Sequence, residues 1–260
     1  MKRPVITLVA VCAALPALAQ DAVGDWDIHS DASIDSLMAY TVFDNGLSIA
    51  FRCIDGSLNV VMAGLPPAPG DRRTLNMAFR DGQSYPTVWT ATTSSTAVVG
   101  DFPAPLAREF RQGGTLKVSV PGGALDGRYL RYDVELPASG AAIDQVLTTC
   151  DRPLVDPRDA ALKAIDATGL STGVSWERTP RGQFPTPIRY GSGFAVLSCL
   201  TTPTGDLNDC VVEMEHPHDG KFGRAALRGA AGARLKNSEG EKWPMPVVRI
   251  SFMTRFQFQQ

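Results

Sequence analysis

The sequence predicts an α+β protein, in which a β-rich, sandwich-like domain is followed by a small ββαβ domain. Short apolar segments up to residue 150 alternate with polar residues and are separated by Gly, Pro or Asp. The stretch from residue 183 onward instead has the pattern hairpin, helix, strand. Between them, residues 151–182 are rich in proline and charge, which is typical of an exposed connection. The predicted division is therefore 1–19 signal peptide, 20–150 β-rich domain, 151–182 linker and 183–260 ββαβ domain.

The first residues have the composition of a secretory signal peptide. Lys2 and Arg3 precede an apolar run, and Ala17-Leu18-Ala19 supplies the small residues of a cleavage site. The run is shorter than the roughly 20 residues that a membrane-spanning helix needs. We therefore expect residues 1–19 to be removed, leaving an exported, soluble protein with no membrane span. The alternative is that this segment stays as an uncleaved anchor.

The cysteines fit an exported protein. Of five cysteines, Cys12 would leave with the signal peptide. An even number in an exported chain indicates disulfides rather than free thiols. Four cysteines allow three pairings, and the predicted division into domains favours Cys53–Cys150 and Cys199–Cys210.

The amino-terminal domain is predicted to be a sandwich or a curled antiparallel sheet. Residues 47–53 alternate between apolar and polar side chains, and Asp55-Gly56 then marks a hairpin turn into residues 58–62. The pattern also predicts two short helices, over 105–111 and 141–149. Further strands are predicted at 75–79, 87–91, 116–120 and 129–136. With its early Trp26, Arg52-Cys53 strand and closing helix that ends in Cys150, this domain faintly resembles exported domains of the invasion-associated locus B type.

The carboxy-terminal domain is predicted from a hairpin with strands at 194–200 and 207–214. A four-residue loop at 203–206 would place Cys199 opposite Cys210, within reach of a disulfide. Asp219 is predicted to cap a helix over 221–231. A long final strand follows at 247–258, with Val248, Ile250, Phe252, Phe256 and Phe258 on one face and Arg249, Ser251, Arg255 and Gln257 on the other.

Residues 183–258 resemble the C-terminal domain of the energy transducer TonB family. The resemblance lies in the order and spacing of weak motifs rather than in any single one. These motifs are Pro185 or Pro187, Gly193, Gly205, Asp219-Gly220, Phe222 ahead of Ala225-Ala226-Leu227, Gly240, Pro246-Val247 and Phe256.

The resemblance implies a periplasmic module that binds other proteins by strand pairing, such as an extended segment of an outer-membrane receptor. An unpaired strand edge presents backbone donors and acceptors that an extended peptide can complete. Arg249 and Arg255 would then be available to steer an acidic peptide, and edge pairing could also produce a homodimer. The alternative is that these residues only complete the sheet. The candidate partner-binding strand comprises Val247, Arg249, Ser251, Met253, Arg255 and Gln257.

The chain also departs from the transducers of that family. Its apolar start contains no histidine, and residues 20–182 have the pattern of a folded domain rather than of a long proline-rich spacer. The binding module is therefore our first hypothesis. A membrane-anchored, divergent transducer for outer-membrane transport is the second.

Catalytic, metal and nucleic-acid functions are disfavoured. With 25 Lys and Arg against 27 Asp and Glu, the net charge of −2 gives no overall attraction for nucleic acid. No His-Glu-x-x-His motif occurs. His216, His218 and Asp219 are the densest group of potential zinc ligands, and a metal-dependent enzyme built on them is the third hypothesis. We expect no catalytic residues, no metal and no cofactor.

Overall fold

The computed structural model describes residues 25–92, 94–164, 170, 173–237 and 247–258. The predicted signal peptide, residues 1–19, and the motif residues Gly240 and Pro246 lie outside this part of the chain. The described residues form mostly antiparallel strands with three α-helices, which confirms the α+β class. Their buried apolar side chains form two separate clusters, one within residues 26–150 and the other within 170–256.

The first cluster belongs to a nine-stranded antiparallel sheet. Its strand order is β1-β2-β3-β4-β7-β6-β5-β8-β9. The strands are β1 (Asp27–Asp31), β2 (Ser36–Val42), β3 (Ser48–Ile54), β4 (Ser57–Ala63), β5 (Arg72–Phe79), β6 (Tyr85–Ala91), β7 (Ala97–Gly100), β8 (Gly114–Val120) and β9 (Leu130–Leu136), with a 3₁₀ turn at Ala32–Ile34.

This sheet curls around a short buried helix, α1 (Pro103–Phe110). Phe51 of β3 and Phe79 of β5 both make edge-to-face ring contacts with Phe110 of α1. The hydroxyl of Tyr132, on the edge strand β9, donates a 2.9 Å hydrogen bond to the carbonyl oxygen of Gly64, just after β4. Because large antiparallel sheets twist, curling lets strands that are distant in the sheet share one core. The strands thus form a single curled sheet rather than two stacked sheets.

A disulfide attaches the second helix to this sheet. Helix α2 (Ala141–Thr149) packs on β2 and β3, and Cys150 directly after it is bonded to Cys53 of β3. Both predicted helices are therefore present, and the predicted Cys53–Cys150 pairing is confirmed.

The segment predicted as a linker contains regular structure. A 3₁₀ helix (Pro157–Ala164) is followed by strand β10 (Val174–Arg178). Strand β10 pairs with β13 (Arg234–Asn237), a strand that the sequence pattern did not predict. Residues 174–178 therefore belong structurally with the carboxy-terminal part, because their partner strand lies there.

The second cluster is centred on a three-stranded sheet of order β12-β11-β14. These strands are β11 (Ser192–Thr201), β12 (Leu207–His216) and β14 (Arg249–Gln257), and helix α3 (Phe222–Ala230) packs on β11 and β12. The predicted hairpin, helix and closing strand are all present. Strand β13 lies between α3 and β14 and makes the observed order more complex than ββαβ.

The Cys199–Cys210 disulfide is also confirmed, although the predicted register was wrong by one residue at the turn. Leu207 pairs with Thr201 rather than Thr202. A bulge at Asp209, whose φ is +46°, then shifts the register by one and brings the two cysteines opposite each other. An extra residue in one strand does this by letting two residues face one on the partner strand.

Three of the motif residues named in the 183–258 stretch pack together. Gly193 lies opposite Phe256 in the β11–β14 register. The rings of Phe222 and Phe256 have centroids 5.2 Å apart. A Cβ atom on Gly193 would lie 2.1 Å from the Phe222 ring, so this position requires glycine. The glycine before the strand and the two aromatic residues are thus parts of one packing arrangement.

Candidate functional site

The predicted partner-binding strand has one face toward the apolar core and one toward the 3₁₀ helix Pro157–Ala164. Ile250 and Phe256 are buried in the second core cluster. On the opposite face, Arg249 and Ser251 are buried, whereas Arg255 and Gln257 are exposed. The predicted division of this strand into two faces therefore agrees with the structure. What the pattern did not predict is that half of the polar face is covered.

The backbone of the same residues points to the free edge of the sheet. The N–H of Phe258 donates to Gly191, and the N–H of Thr201 donates to Val248, so the even-numbered residues of β14 bond to β11. Bonded and non-bonded pairs alternate in antiparallel strands. The backbone groups of Arg249, Ser251, Met253, Arg255 and Gln257 therefore face outward. Strand β14 is an edge strand in the sheet formed by the described residues.

A charge network fixes the first half of this strand. We define it as Arg108 of α1, Asp159 of the 3₁₀ helix, Arg249 of β14, Glu213 of β12 and Ser198 of β11. The Arg249 guanidinium bonds to Glu213 at 2.6 Å, to Asp159 at 2.8 Å and to the Ser198 hydroxyl at 3.1 Å. Arg108 donates to the same Asp159 oxygen, Oδ1, at 2.9 Å and to the other oxygen, Oδ2, at 2.5 Å. Charged groups are buried only when paired in this way.

The network corrects one prediction. Arg249, expected to be available to steer an acidic peptide, has a side chain with 0% exposure that is paired within the chain. Its neighbour Ser251 is 5% exposed. Arg255 keeps its predicted exposure. Burial raises the pKa of Asp101 in the amino-terminal part, and attraction from Arg72 and, least of all, from Arg255 opposes that rise.

A second bulge explains how Glu213 reaches Arg249. Val196 pairs with Met214 and Leu197 with Val212, which leaves Glu213 as the extra residue. The bulge directs Glu213 away from α3, whereas Glu215 returns to that helix and accepts a 2.5 Å hydrogen bond from the N–H of Gly223. Bulges re-aim side chains in this way.

Asp156 lies beside this network and is held as a carboxylate. Hydrogen bonds from the Arg158 side chain, followed by smaller contributions that include Arg108, lower the pKa of Asp156 to about 2. Arg158 also donates to the backbone oxygen of Asp209 at 3.1 Å, on strand β12. The segment between the two sheets is thus tied to both by charged side chains.

An elongated cleft separates the end of the β11–β12 hairpin from the outer face of the curled sheet. One end, of about 540 Å³, is lined by Arg52, Thr90, Phe194 and Met214 among others. The other end, of about 400 Å³, is lined by Arg152, Lys221 and Arg224 among others. Ser57, Met214, Glu215 and His218 line both ends, so the two cavities adjoin. We call the two together the inter-sheet cleft.

The residues of the predicted metal alternative point to different partners. The His216 ring packs on Phe194, with centroids 5.7 Å apart, and His218 Nε2 lies 3.7 Å from Asp55. Asp219 accepts hydrogen bonds from Tyr190 at 2.5 Å and Arg189 at 2.8 Å, and the Tyr190 bond holds the pKa of Asp219 below its usual value. In the described part of the chain, no three His, Cys, Asp or Glu side chains converge to hold a metal ion.

These contacts also correct the predicted helix cap. Helix α3 begins after Lys221, which has a φ of +61° and whose own side chain does not cap it; the Glu215 carboxylate accepts from the Gly223 N–H in the first turn instead. Asp219 lies too early in the loop for that role and instead pairs with Arg189 and Tyr190.

The chain matches no protein-family model, curated protein or solved structure in the comparisons with known proteins. Among the residues that the structure describes, no helix has the length and apolar character needed to span a membrane. The two disulfides are consistent with an exported protein.

Sequence reasoning missed the partners of Arg249 and the lining of the cleft. Both depend on contacts between segments far apart in the chain, such as the 90 residues between Asp159 and Arg249. The available signal was the alternation of residues 248–258, which separates the two faces of β14 but does not show that the Arg249 end of the polar face is covered.

Proposed function

We propose that this protein is a periplasmic protein-binding module that engages an extended segment of an envelope or outer-membrane partner by strand pairing. The pairing edge is the second half of β14, residues 252–257. The resemblance of residues 183–258 to the TonB C-terminal domain supports the proposal, as do the two disulfides.

The observation that carries the proposal is the outward-facing backbone of Met253, Arg255 and Gln257. Among the described residues, no backbone hydrogen bond joins these groups to a neighbouring strand on the outer side. Such an edge can add a strand from another chain, with the backbone giving affinity and alternate side chains giving specificity. Because Arg255 is exposed and Arg249 is buried, only Arg255 can attract an acidic residue of the incoming segment.

Amide hydrogen exchange can test this geometry directly. The probes are synthetic peptides that copy the periplasmic amino-terminal segments of outer-membrane receptors, added to the full mature chain. We expect exchange to slow at the amides of Met253 and Arg255, which point outward. The amides of Phe252 and Thr254 should change little, because they already bond to β11.

Two variants at one position separate backbone from side-chain effects. Met253→Pro removes an outward N–H without removing a bond to β11, and edge strands tolerate proline. We expect it to weaken peptide binding far more than Met253→Ala, which keeps the N–H. Binding that is equal in both variants, or that leaves the exchange of these amides unchanged, would show that the peptides use another surface. Slower exchange at these amides in concentrated protein without peptide would instead indicate a homodimer.

A further inference from the structure

The charges that line the inter-sheet cleft are unbalanced. Arg52, Arg152, Lys221 and Arg224 line it, and among the described residues none of the four has a carboxylate within 4 Å. The structure brings these cations together from β3, from the end of α2 and from the start of α3, which are distant in sequence. A protein whose net charge is −2 therefore has a locally cationic cleft.

The carboxylates in the cleft are already engaged. Glu215 accepts the hydrogen bond from the Gly223 N–H, and Asp55 lies 3.7 Å from His218 Nε2. Arg224 attracts the Glu215 carboxylate electrostatically, and four cations still face two carboxylates in the cleft. In addition, the Nε atoms of Arg52 and Arg152 are buried and have no hydrogen-bond partner among the described residues. Buried donors without partners are uncommon in folded proteins.

The cleft also has an apolar part. Ile54 and Val99 on the outer face of the curled sheet lie across from Phe194 and Met214 of the hairpin. Concave sites of several hundred Å³, with apolar walls and a few fixed polar groups, are typical of small-molecule sites. Arginine binds phosphate and carboxylate through paired N–H donors, which gives orientation as well as affinity.

We propose that the inter-sheet cleft binds a small organic anion that carries at least two phosphate or carboxylate groups. Arg52 holds one end of the anion, and Arg152, Lys221 and Arg224 hold the other. The Ile54–Met214 region contacts the carbon skeleton. This site is separate from the β14 edge and does not depend on it.

Calorimetric titration of the full mature chain at low salt tests this proposal. The probes are inorganic pyrophosphate, citrate and a triglutamate peptide. We expect pyrophosphate or citrate to bind at a single site per chain, with an affinity that falls as salt is added. Arg52→Gln and Arg224→Gln should each weaken binding about tenfold or more, since each removes a charge-assisted contact. Arg128→Gln, on an exposed hairpin loop where Arg128 already pairs with Asp126, is the matched control.

The Arg224 variant keeps the binding test interpretable. Arg224 is exposed, so its replacement leaves folding intact even where Arg52→Gln disturbs the sheet. Absence of binding by both small anions, or equal weakening in Arg128→Gln, overturns the proposal. Tight binding of triglutamate alone that requires Arg224 would overturn the small-molecule assignment in favour of an acidic peptide.

Discussion

Removing Glu213 from the charge network should strongly destabilise the protein. In Glu213→Ala, Arg249 keeps a side chain with 0% exposure but loses its 2.6 Å partner. Breaking a buried ion pair from one side costs about 3–5 kcal/mol, because a charge is left without compensation. Asp159 still contacts Arg249 at 2.8 Å, so we expect a loss near the lower end, about 3 kcal/mol. For a chain of this size that corresponds to a fall in Tm of about 6–12 °C.

Urea unfolding of the oxidised protein, followed by intrinsic fluorescence, measures this loss. A double variant, Glu213→Leu with Arg249→Met, should lose less than Glu213→Ala alone, because apolar replacement of both partners leaves no buried charge. Asp126→Ala removes an exposed pair with Arg128 and should cause no measurable change. A loss of less than about 1 kcal/mol in Glu213→Ala would refute the view that the network carries stability.

Three further predictions concern pH, packing and the disulfides. The pKa of Asp156 is lowered to about 2, so its pairing stabilises the fold above pH 4, and this contribution disappears between about pH 4 and pH 2. The variant Asp156→Asn should therefore flatten the acid side of a plot of Tm against pH. An unchanged curve would contradict this. Gly193→Ala should lower the free energy of unfolding by about 1–3 kcal/mol, because its Cβ would lie 2.1 Å from the buried Phe222 ring. The control Gly191→Ala, with open space around it, should unfold at the wild-type urea midpoint. Replacing Cys53 and Cys150 by Ala, at a separation of 97 residues, should lower the free energy of unfolding in urea by about 4–5 kcal/mol. The same change at Cys199 and Cys210, 11 residues apart, should lower it by about 3 kcal/mol. Equal losses would contradict the loop-entropy reasoning.

Much of the local structure could be predicted because it depends on near neighbours. The alternation of residues 47–53 predicted β3, and the spacing of apolar residues after Gly220 predicted α3 to within one residue at each end. Cysteine number and domain division predicted both disulfide pairs. Strand β13 was missed because its four residues are too few to show a period, and its partner β10 lies in a segment with loop-like composition.

The candidate site was predictable only in part. The alternation of the final strand determined which of its residues share a face, and the pairing of β14 with β11 turns the backbone of the same residues outward. Their exposure was not predictable, since it depends on what the fold places against each half of the strand. Arg249 and Arg255 have the same residue type and the same face, yet one is buried in an ion network and the other is exposed.

By itself, the sequence determined the α+β class and the two faces of β14, because each follows from a periodicity of two or 3.6 residues. The cysteine count left three pairings open, and the predicted domain division favoured the observed one. Tertiary structure alone decided that Arg249 meets Asp159 and Glu213, and that four cations from separate segments line one cleft. The physical reason is distance along the chain. Ion pairs and clefts form between segments tens of residues apart, and a local sequence pattern does not indicate which segments will come into contact.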